Sequence, residues 1–236
     1  DATVAITNKF PIDAALLARS PKLELICVAA TGTNNVDLAA ASARGIVVCN
    51  VTGYATPSVV EHVFALILAL QRRLTDQQHA AHSLWAHQRG FCVLDYPVGE
   101  LHGKTLGILG FGELGQGVAR IGTALGMQIL IGQRPGGDDR AGRVPLDALL
   151  RKSDVLSLHC PLTPATRGLI GARELGLMKP TALLINTARG GIVDEAALMN
   201  ALQHGRLGGA GVDVLIEEPP RHGNPLLLHK LPNLIV

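Results

Sequence analysis

Gly110-Phe111-Gly112-Glu113-Leu114-Gly115 is a GxGxxG spacing between an apolar run at 105–109 and a helical pattern at 114–125. Any α/β domain can carry a glycine-rich turn. A strand before it and a helix after it are the context that points to a dinucleotide. Gly110 permits the tight turn, Gly112 lets a pyrophosphate approach the backbone, and Gly115 allows the helix to pack closely on the strand. The helix start supplies unpaired N–H groups and the positive end of a dipole. The next strand, 128–132, runs into Gln133-Arg134-Pro135 with no carboxylate at its tip. Gln133 accepts from a ribose hydroxyl without repelling a 2′-phosphate, and Arg134 can pair with one. This leans toward NADP and leaves NAD open, with Arg134 pointing to solvent and Asp138 and Asp139 close behind as the alternative. Arg189 follows another apolar strand, 182–186, and precedes a helix, 195–204. Ligands of parallel α/β sheets gather at such carboxyl ends.

These groups need a scaffold, and the apolar pattern supplies one. Strands are predicted at 3–7, 24–29 and 46–50, with helices at 12–18 and 37–44 between them. Alternation of this kind favours a parallel sheet covered on both faces. Thr56 caps and Pro57 opens a helix whose apolar residues run to Arg72-Arg73 nearly all round. Such a helix must be covered by its own domain or by a second subunit, and the second subunit is the expectation here. Residues 77–97 turn polar, hold Trp85, Phe91 and Tyr96, and read as an irregular arm. A second series starts near Gly99: strands at 105–109, 128–131, 154–159, 182–186, 211–214 and 234–236, and helices at 114–125, 146–151, 171–178 and 195–204.

The composition narrows the function classes. The 236 residues carry 21 Lys and Arg against 19 Asp and Glu, a formal charge of +2, with no long basic run, so a nucleic-acid partner is not expected. Hydrophobic residues make up 47% and aromatic residues 3%, so the core must come from Ala, Val, Ile and Leu. The longest apolar stretch, 63–70, is too short to cross a membrane. Cys27, Cys49, Cys92 and Cys160 form no CxxC, which argues against a metal site or a disulfide framework and for a reducing, cytoplasmic setting. The start, Asp1-Ala2-Thr3-Val4, has neither Met nor a leader pattern and is expected to lie inside a longer product.

Taken together, the motifs resemble the D-isomer-specific 2-hydroxyacid dehydrogenases, in their glycerate dehydrogenase or hydroxypyruvate reductase branch. They are Ala30-Thr31-Gly32-Thr33-Asn34-Asn35-Val36-Asp37, Pro57-Ser58-Val59-Val60-Glu61-His62, the GxGxxG, His159-Cys160-Pro161-Leu162-Thr163, the run from Asn186 through Arg189 to Glu195, and Asp213-Val214-Leu215 leading to Glu218-Pro219-Pro220. The tail from Glu218 to Leu227 looks most like the hydroxypyruvate reductase branch. The resemblance implies two Rossmann-like doubly wound α/β domains with a cleft between them. Residues 1–98 would be the substrate domain, incomplete at its start and carrying the dimerisation helix and arm. Residues 99–236 would be the dinucleotide domain, and both would lack C-terminal elements. Hinges are expected near Gly99 and near the C-terminus.

By the same resemblance Arg189 would hold and polarise a 2-oxo acid, and Glu218 would raise the pKa of a catalytic histidine. That histidine belongs to a Thr-Pro-His segment beyond the final strand, which residues 1–236 do not contain; His222 and His229 are read as exposed loop histidines, and Glu217 as merely solvated. Thr31 and Gly32 would present N–H groups to the substrate carboxylate, with Asn8 and Lys9 on a neighbouring loop. Glu113 and Leu114 would contact pyrophosphate, Gln133 the ribose, His159, Cys160, Pro161 and Thr166 the adenosine half, and Thr187, Ala188 and Asp213 the nicotinamide half. The implied activity is NAD(P)H-dependent reduction of hydroxypyruvate and glyoxylate by a homodimer. The alternatives are a dinucleotide-sensing binding protein of the C-terminal-binding corepressor type, and formate or phosphite oxidation on the same scaffold.

Overall fold

The computed structural model describes residues 2–134 and 140–236. Asp138 and Asp139, named above beside the cofactor turn, lie outside the described residues. Two units emerge from the contacts, Asp1–Thr56 and Pro57–Val236.

In the first unit three short strands, β1 (Val4–Thr7), β2 (Leu25–Val28) and β3 (Val47–Asn50), pair in parallel in that order, with Leu25 opposite both Val4 and Val47. Two helices cross between them, α1 (Ala14–Ala18) and α2 (Leu38–Ala43). Each is started by an aspartate cap: Leu16 N–H donates to Asp13 Oδ1 at 2.8 Å, and Ala40 N–H to Asp37 Oδ1 at 2.9 Å. Strand alternation turns Ile26 and Val28 inward, where they pack with Leu17, Ala41 and Ile46. The expected two-faced cover holds on one face only among the described residues, because Val4, Ile6 and Val47 stand exposed on the other.

The second unit opens with α3 (Thr56–Gln71), then α4 (Leu74–Ser83) and a single 3-10 turn at Trp85–His87. It continues through β4 (Thr105–Leu109), α5 (Glu113–Ala124), β5 (Gln128–Gly132), β6 (Arg143–Val144), α6 (Leu146–Lys152), β7 (Val155–Leu158), α7 (Ala172–Leu177), β8 (Leu183–Asn186), α8 (Glu195–Gln203), β9 (Gly209–Val212), α9 (Pro225–Leu228) and β10 (Leu234–Ile235). The seven strands form one parallel sheet in the order β10-β9-β8-β7-β4-β5-β6. From β4 the chain first winds one way to β5 and β6, then returns to the other side of β4 at β7. The carboxyl ends of β4 and β7 therefore flank the point where the winding reverses, the crevice in which such sheets bind ligands.

Three sequence expectations change here. Contacts group α3 with the second sheet, so the contact-based division falls at Pro57. From α3, Val63, Phe64 and Ile67 join Leu106, Ile108 and Ile185 in one buried cluster. A Cβ on Gly211 would lie 2.9 Å from Leu66 Cβ, so the Gly-Ala-Gly of β9 is what admits the helix. The buried face of α3 is thus covered by its own unit and needs no second subunit. Residues 74–83 are helical, although an irregular arm was expected. Only Ala80 of that helix is buried, so it carries no apolar stripe to read. Lastly, β9 spans 209–212, not 211–214, which puts Asp213 in the loop beyond the strand.

Candidate active site

The glycine-rich turn has the geometry its spelling requires. Gly110 adopts φ +97°, and a Cβ there would sit 2.5 Å from the His159 carbonyl carbon and 2.6 Å from Cys160 N. A Cβ on Gly115 would sit 2.2 Å from Gly110 O, so helix and turn touch backbone to backbone. At Gly112 the opposite holds: no atom lies within 4 Å of the position a Cβ would take. Gly112 is also the N-cap of α5 and has no side chain to close the helix end. The result is an open cradle at the start of α5, where helical N–H groups face the turn, which fits a pyrophosphate. Glu113 and Leu114 stand in the first turn of α5, Glu113 exposed and Leu114 half-buried. At the tip of β5 the Gln133 N–H donates to Val144 O at 2.8 Å, and the Arg134 side chain is exposed.

Across the crevice, the loop after β7 holds His159, Cys160 and Pro161. The Thr166 hydroxyl donates to Pro161 O at 2.6 Å and accepts from Thr163 N–H at 2.7 Å, so it shapes this loop from within and is committed there. Burial pushes the Cys160 thiol up to about 11, which leaves it un-ionised and inert at neutral pH. His159 Nε2 lies 2.8 Å from Ser157 Oγ. Its Nδ1 and the buried Thr187 Oγ1 at the end of β8 have no partner among the described residues. Unpaired polar atoms at two neighbouring strand ends are uncommon, and a polar ligand or an ordered water would satisfy them.

Burial also lowers the His159 pKa from 6.5 to about 4. A histidine depressed in the folded state takes its proton first in the unfolded chain. Its contribution to stability is complete above about pH 6.5 and is lost as the pH falls toward about 4. Urea unfolding is expected to show a loss of about 2 kcal/mol between neutral pH and about pH 5 from this group. His159→Gln, which keeps a donor near Ser157, should flatten that part of the profile; an unchanged slope would contradict the assignment.

Arg189 sits just past the carboxyl end of β8 with an exposed side chain, and its Nη1 donates to Ala188 O at 2.7 Å. Asn186, 2% exposed, builds the turn that presents it: Oδ1 accepts from Ala188 N–H at 3.1 Å and Nδ2 donates to Arg189 O at 3.0 Å. Sequence reading gave Asn186 no role, although an amide ending a fully apolar strand was the available signal. Gly190, next to Arg189, lies against the peptide joining Leu215 and Ile216. The exposed Glu218 carboxylate accepts from the N–H of that same Leu215 at 2.9 Å. Arg189 and Glu218 are therefore carried by two loops in direct contact.

Other expected residues resolve differently. Glu217, read as solvated, accepts from His222 Nδ1 at 2.8 Å, and this pair lies in the open. Asp213 lies 3.4 Å from His62 Nε2 on α3, a partner not foreseen. In the first unit, Asn8, Lys9, Thr31 and Gly32 occupy the loops after β1 and β2. Asn35 joins those loops: its Nδ2 donates to Phe10 O at 3.0 Å and its carbonyl accepts from Ile12 N–H at 2.7 Å. At the amino ends of β4 and β5, away from these sites, a shallow basic depression includes Arg151, Lys152 and Lys179. Burial alone would raise the Asp154 pKa there, but Thr105 N–H and the Lys179 ammonium, 2.9 Å away, outweigh it and hold the carboxylate ionised.

Residues 64–236 match the family profile described as D-isomer specific 2-hydroxyacid dehydrogenase, NAD binding domain. The chain is 49% identical over 236 residues to a glycerate dehydrogenase of Methylorubrum extorquens, covering all of this chain and 74% of that protein. Among solved structures, a D-lactate dehydrogenase of Aquifex aeolicus in complex with NAD and lactic acid superposes with a TM-score of 0.87 at 33% identity, over 100% of this chain and 75% of that one. An acyclic imino acid reductase in complex with NADPH and D-Arg gives 0.88 at 30% identity, over 99% and 74%.

Proposed function

The chain belongs to the D-isomer-specific 2-hydroxyacid dehydrogenase family, and from that premise we propose that it reduces hydroxypyruvate to D-glycerate, with glyoxylate as a second substrate. The observation that carries this reading is the placement of Arg189 at the carboxyl end of β8, in a chain 49% identical to a glycerate dehydrogenase. It is an NAD(P)-dependent oxidoreductase acting on CH–OH donors. When bound, the reduced nicotinamide supplies the hydride.

The chain's own residues bind, orient and polarise. Gly110, Gly112 and Gly115 with the start of α5 hold the pyrophosphate, and Gln133 and Arg134 meet the adenosine ribose, with a lean toward its 2′-phosphate. Thr187, Ala188 and Asp213 line the nicotinamide side. The planar guanidinium of Arg189 takes the substrate's carboxylate and carbonyl oxygens together, draws charge onto the carbonyl oxygen and stabilises the developing alkoxide. In the first unit, taken by itself, the backbone N–H groups of Thr31 and Gly32, with Asn8 and Lys9 on the neighbouring loop, suit a carboxylate. Glu218 supports the protonated state of the histidine that delivers the proton to that alkoxide. Residues 1–236 hold no Thr-Pro-His segment of the kind that carries this histidine in the family.

The test is to follow reduced-nicotinamide absorbance with hydroxypyruvate, glyoxylate and formate, using NADPH and NADH in parallel. Turnover with hydroxypyruvate, faster with NADPH, is expected. Oxidation of formate, or dinucleotide binding without any turnover, would overturn the reading.

Two further parts of the proposal rest on exposed surface. Phe91 and Leu94, 93% and 81% exposed, and Trp85 form an apolar arm after α4 that suits a homodimer contact. Light scattering should report a dimer, and a monomer would remove this part. Four cysteines without a disulfide support a cytoplasmic setting, and no helix among the described residues is long and apolar enough to cross a membrane.

A further inference from the structure

Glu195 has no role in the reading so far, yet the loop that carries Glu218 hangs on it. It is the first residue of α8, only 9% exposed, directly after the Asp194 cap. One carboxylate oxygen accepts from the N–H of Ile216 at 2.7 Å, and the other from Asn224 Nδ2 at 2.7 Å. Neither donor can be turned round. The first is a backbone N–H, and the Asn224 amide is locked because its Oδ1 accepts from Leu226 N–H at 2.9 Å. Residue 195 must therefore offer two acceptors at once, which a carboxylate does and a carboxamide does not.

The two anchor points bracket residues 217–223, and Glu218 lies between them. From the opposite side, a Cβ on Gly190 would fall 1.8 Å from Leu215 O and 2.7 Å from Ile216 N. The 215–216 peptide is thus clamped between the loop of Arg189 and the carboxylate of Glu195, and Leu215 N–H in turn holds Glu218 Oε1. The buried acid thus holds the peptide next to the Leu215 N–H on which the Glu218 carboxylate rests.

We propose that Glu195 is a positioning residue for the reduction: it touches neither substrate nor cofactor, and acts by fixing the 215–224 loop that presents Glu218. This rests on the reading of Glu218 as the partner of the proton-donating histidine. Removing Glu218 should lower that histidine's pKa, so the alkaline fall of the reduction rate should move to lower pH. A displaced Glu218 should move it the same way.

The experiment compares Glu195→Gln, Glu218→Gln and the double variant in kcat, KM and pH–rate profile. For Glu195→Gln the expectation is a kcat loss on the order of tenfold, a cofactor KM within about twofold of the parent, and an alkaline limb shifted to lower pH. The double variant should be no slower than Glu218→Gln alone, because both act through one carboxylate. Asn224→Ala removes the second donor without touching residue 195 and gives the same reading should Glu195→Gln fail to fold. Losses that multiply in the double variant, or a Glu195→Gln enzyme with lower Tm but unchanged kcat and pH profile, would overturn the inference alone. A Glu218→Gln enzyme with unaltered kcat and pH profile would overturn the reading of Glu218 and the inference with it.

Discussion

Arg189→Gln is expected to reduce kcat/KM for hydroxypyruvate by about 10²–10³-fold while leaving dinucleotide affinity within about twofold. In the proposed mechanism the guanidinium meets the developing oxyanion and the substrate carboxylate with one planar fork, so its loss should remove both transition-state stabilisation and orientation. Arg189→Lys should recover little, since an ammonium is a point charge without the fork. Fold stability should change little, because the side chain is exposed and the turn is built by Asn186 through backbone atoms. Steady-state kinetics with a parallel nicotinamide-fluorescence titration separates these effects. An Arg189→Gln enzyme that keeps its rate would remove the residue from the mechanism.

Gly110→Ala should act on the cofactor rather than the substrate. The residue adopts φ +97°, and the added methyl would meet the His159–Cys160 peptide at 2.5–2.6 Å. That neighbour is backbone at the end of a buried strand, so it has little room to give. Strain in the left-handed region and overpacking together should cost about 2–5 kcal/mol. Relaxation of the clash would push the β4 turn away from β7 and shift the start of α5, which holds the pyrophosphate in the proposed mechanism. The expected outcome is a lower urea midpoint with dinucleotide binding weakened by at least about tenfold. Gly112→Ala, whose methyl would enter open space, should keep its folded stability but still lose affinity, because that space is the cradle itself. Equal affinity in both variants and the parent would contradict this account of the turn.

The contrast between these positions shows what a sequence can reveal. The turn was legible because its strand, its three glycines and its helix are contiguous: β4 falls on the expected 105–109, and α5 begins one residue early. The placement of Arg189 just past a strand end was legible for the same reason, as it follows one apolar strand closely. Features that depend on distant contacts were not. An apolar helix such as α3 announces that it will be buried but not against which sheet, and the answer lies in the small residues of β9, about 140 positions away. Polar α4 has no stripe to give its period away, and two-residue β6 is too short to show one. Glu195 looks like any acid favoured at a helix start, and only its bonds to Ile216 and Asn224, 21 and 29 residues on, reveal it as an anchor. Asn35 is hidden in the same way, since it reaches back 25 residues to Phe10.

In the proposed mechanism Arg189, the glycine turn and the loop of Glu218 hold a 2-oxo acid against reduced nicotinamide, so that its hydride would reach one face of the carbonyl. The most direct test of this mechanism is the enantiomer of the product, read by chiral chromatography of glycerate formed from hydroxypyruvate and matched to the reduced nicotinamide consumed. D-glycerate alone, one for each nicotinamide oxidised, is the predicted result. L-glycerate, a racemate, or nicotinamide oxidation without glycerate would contradict it.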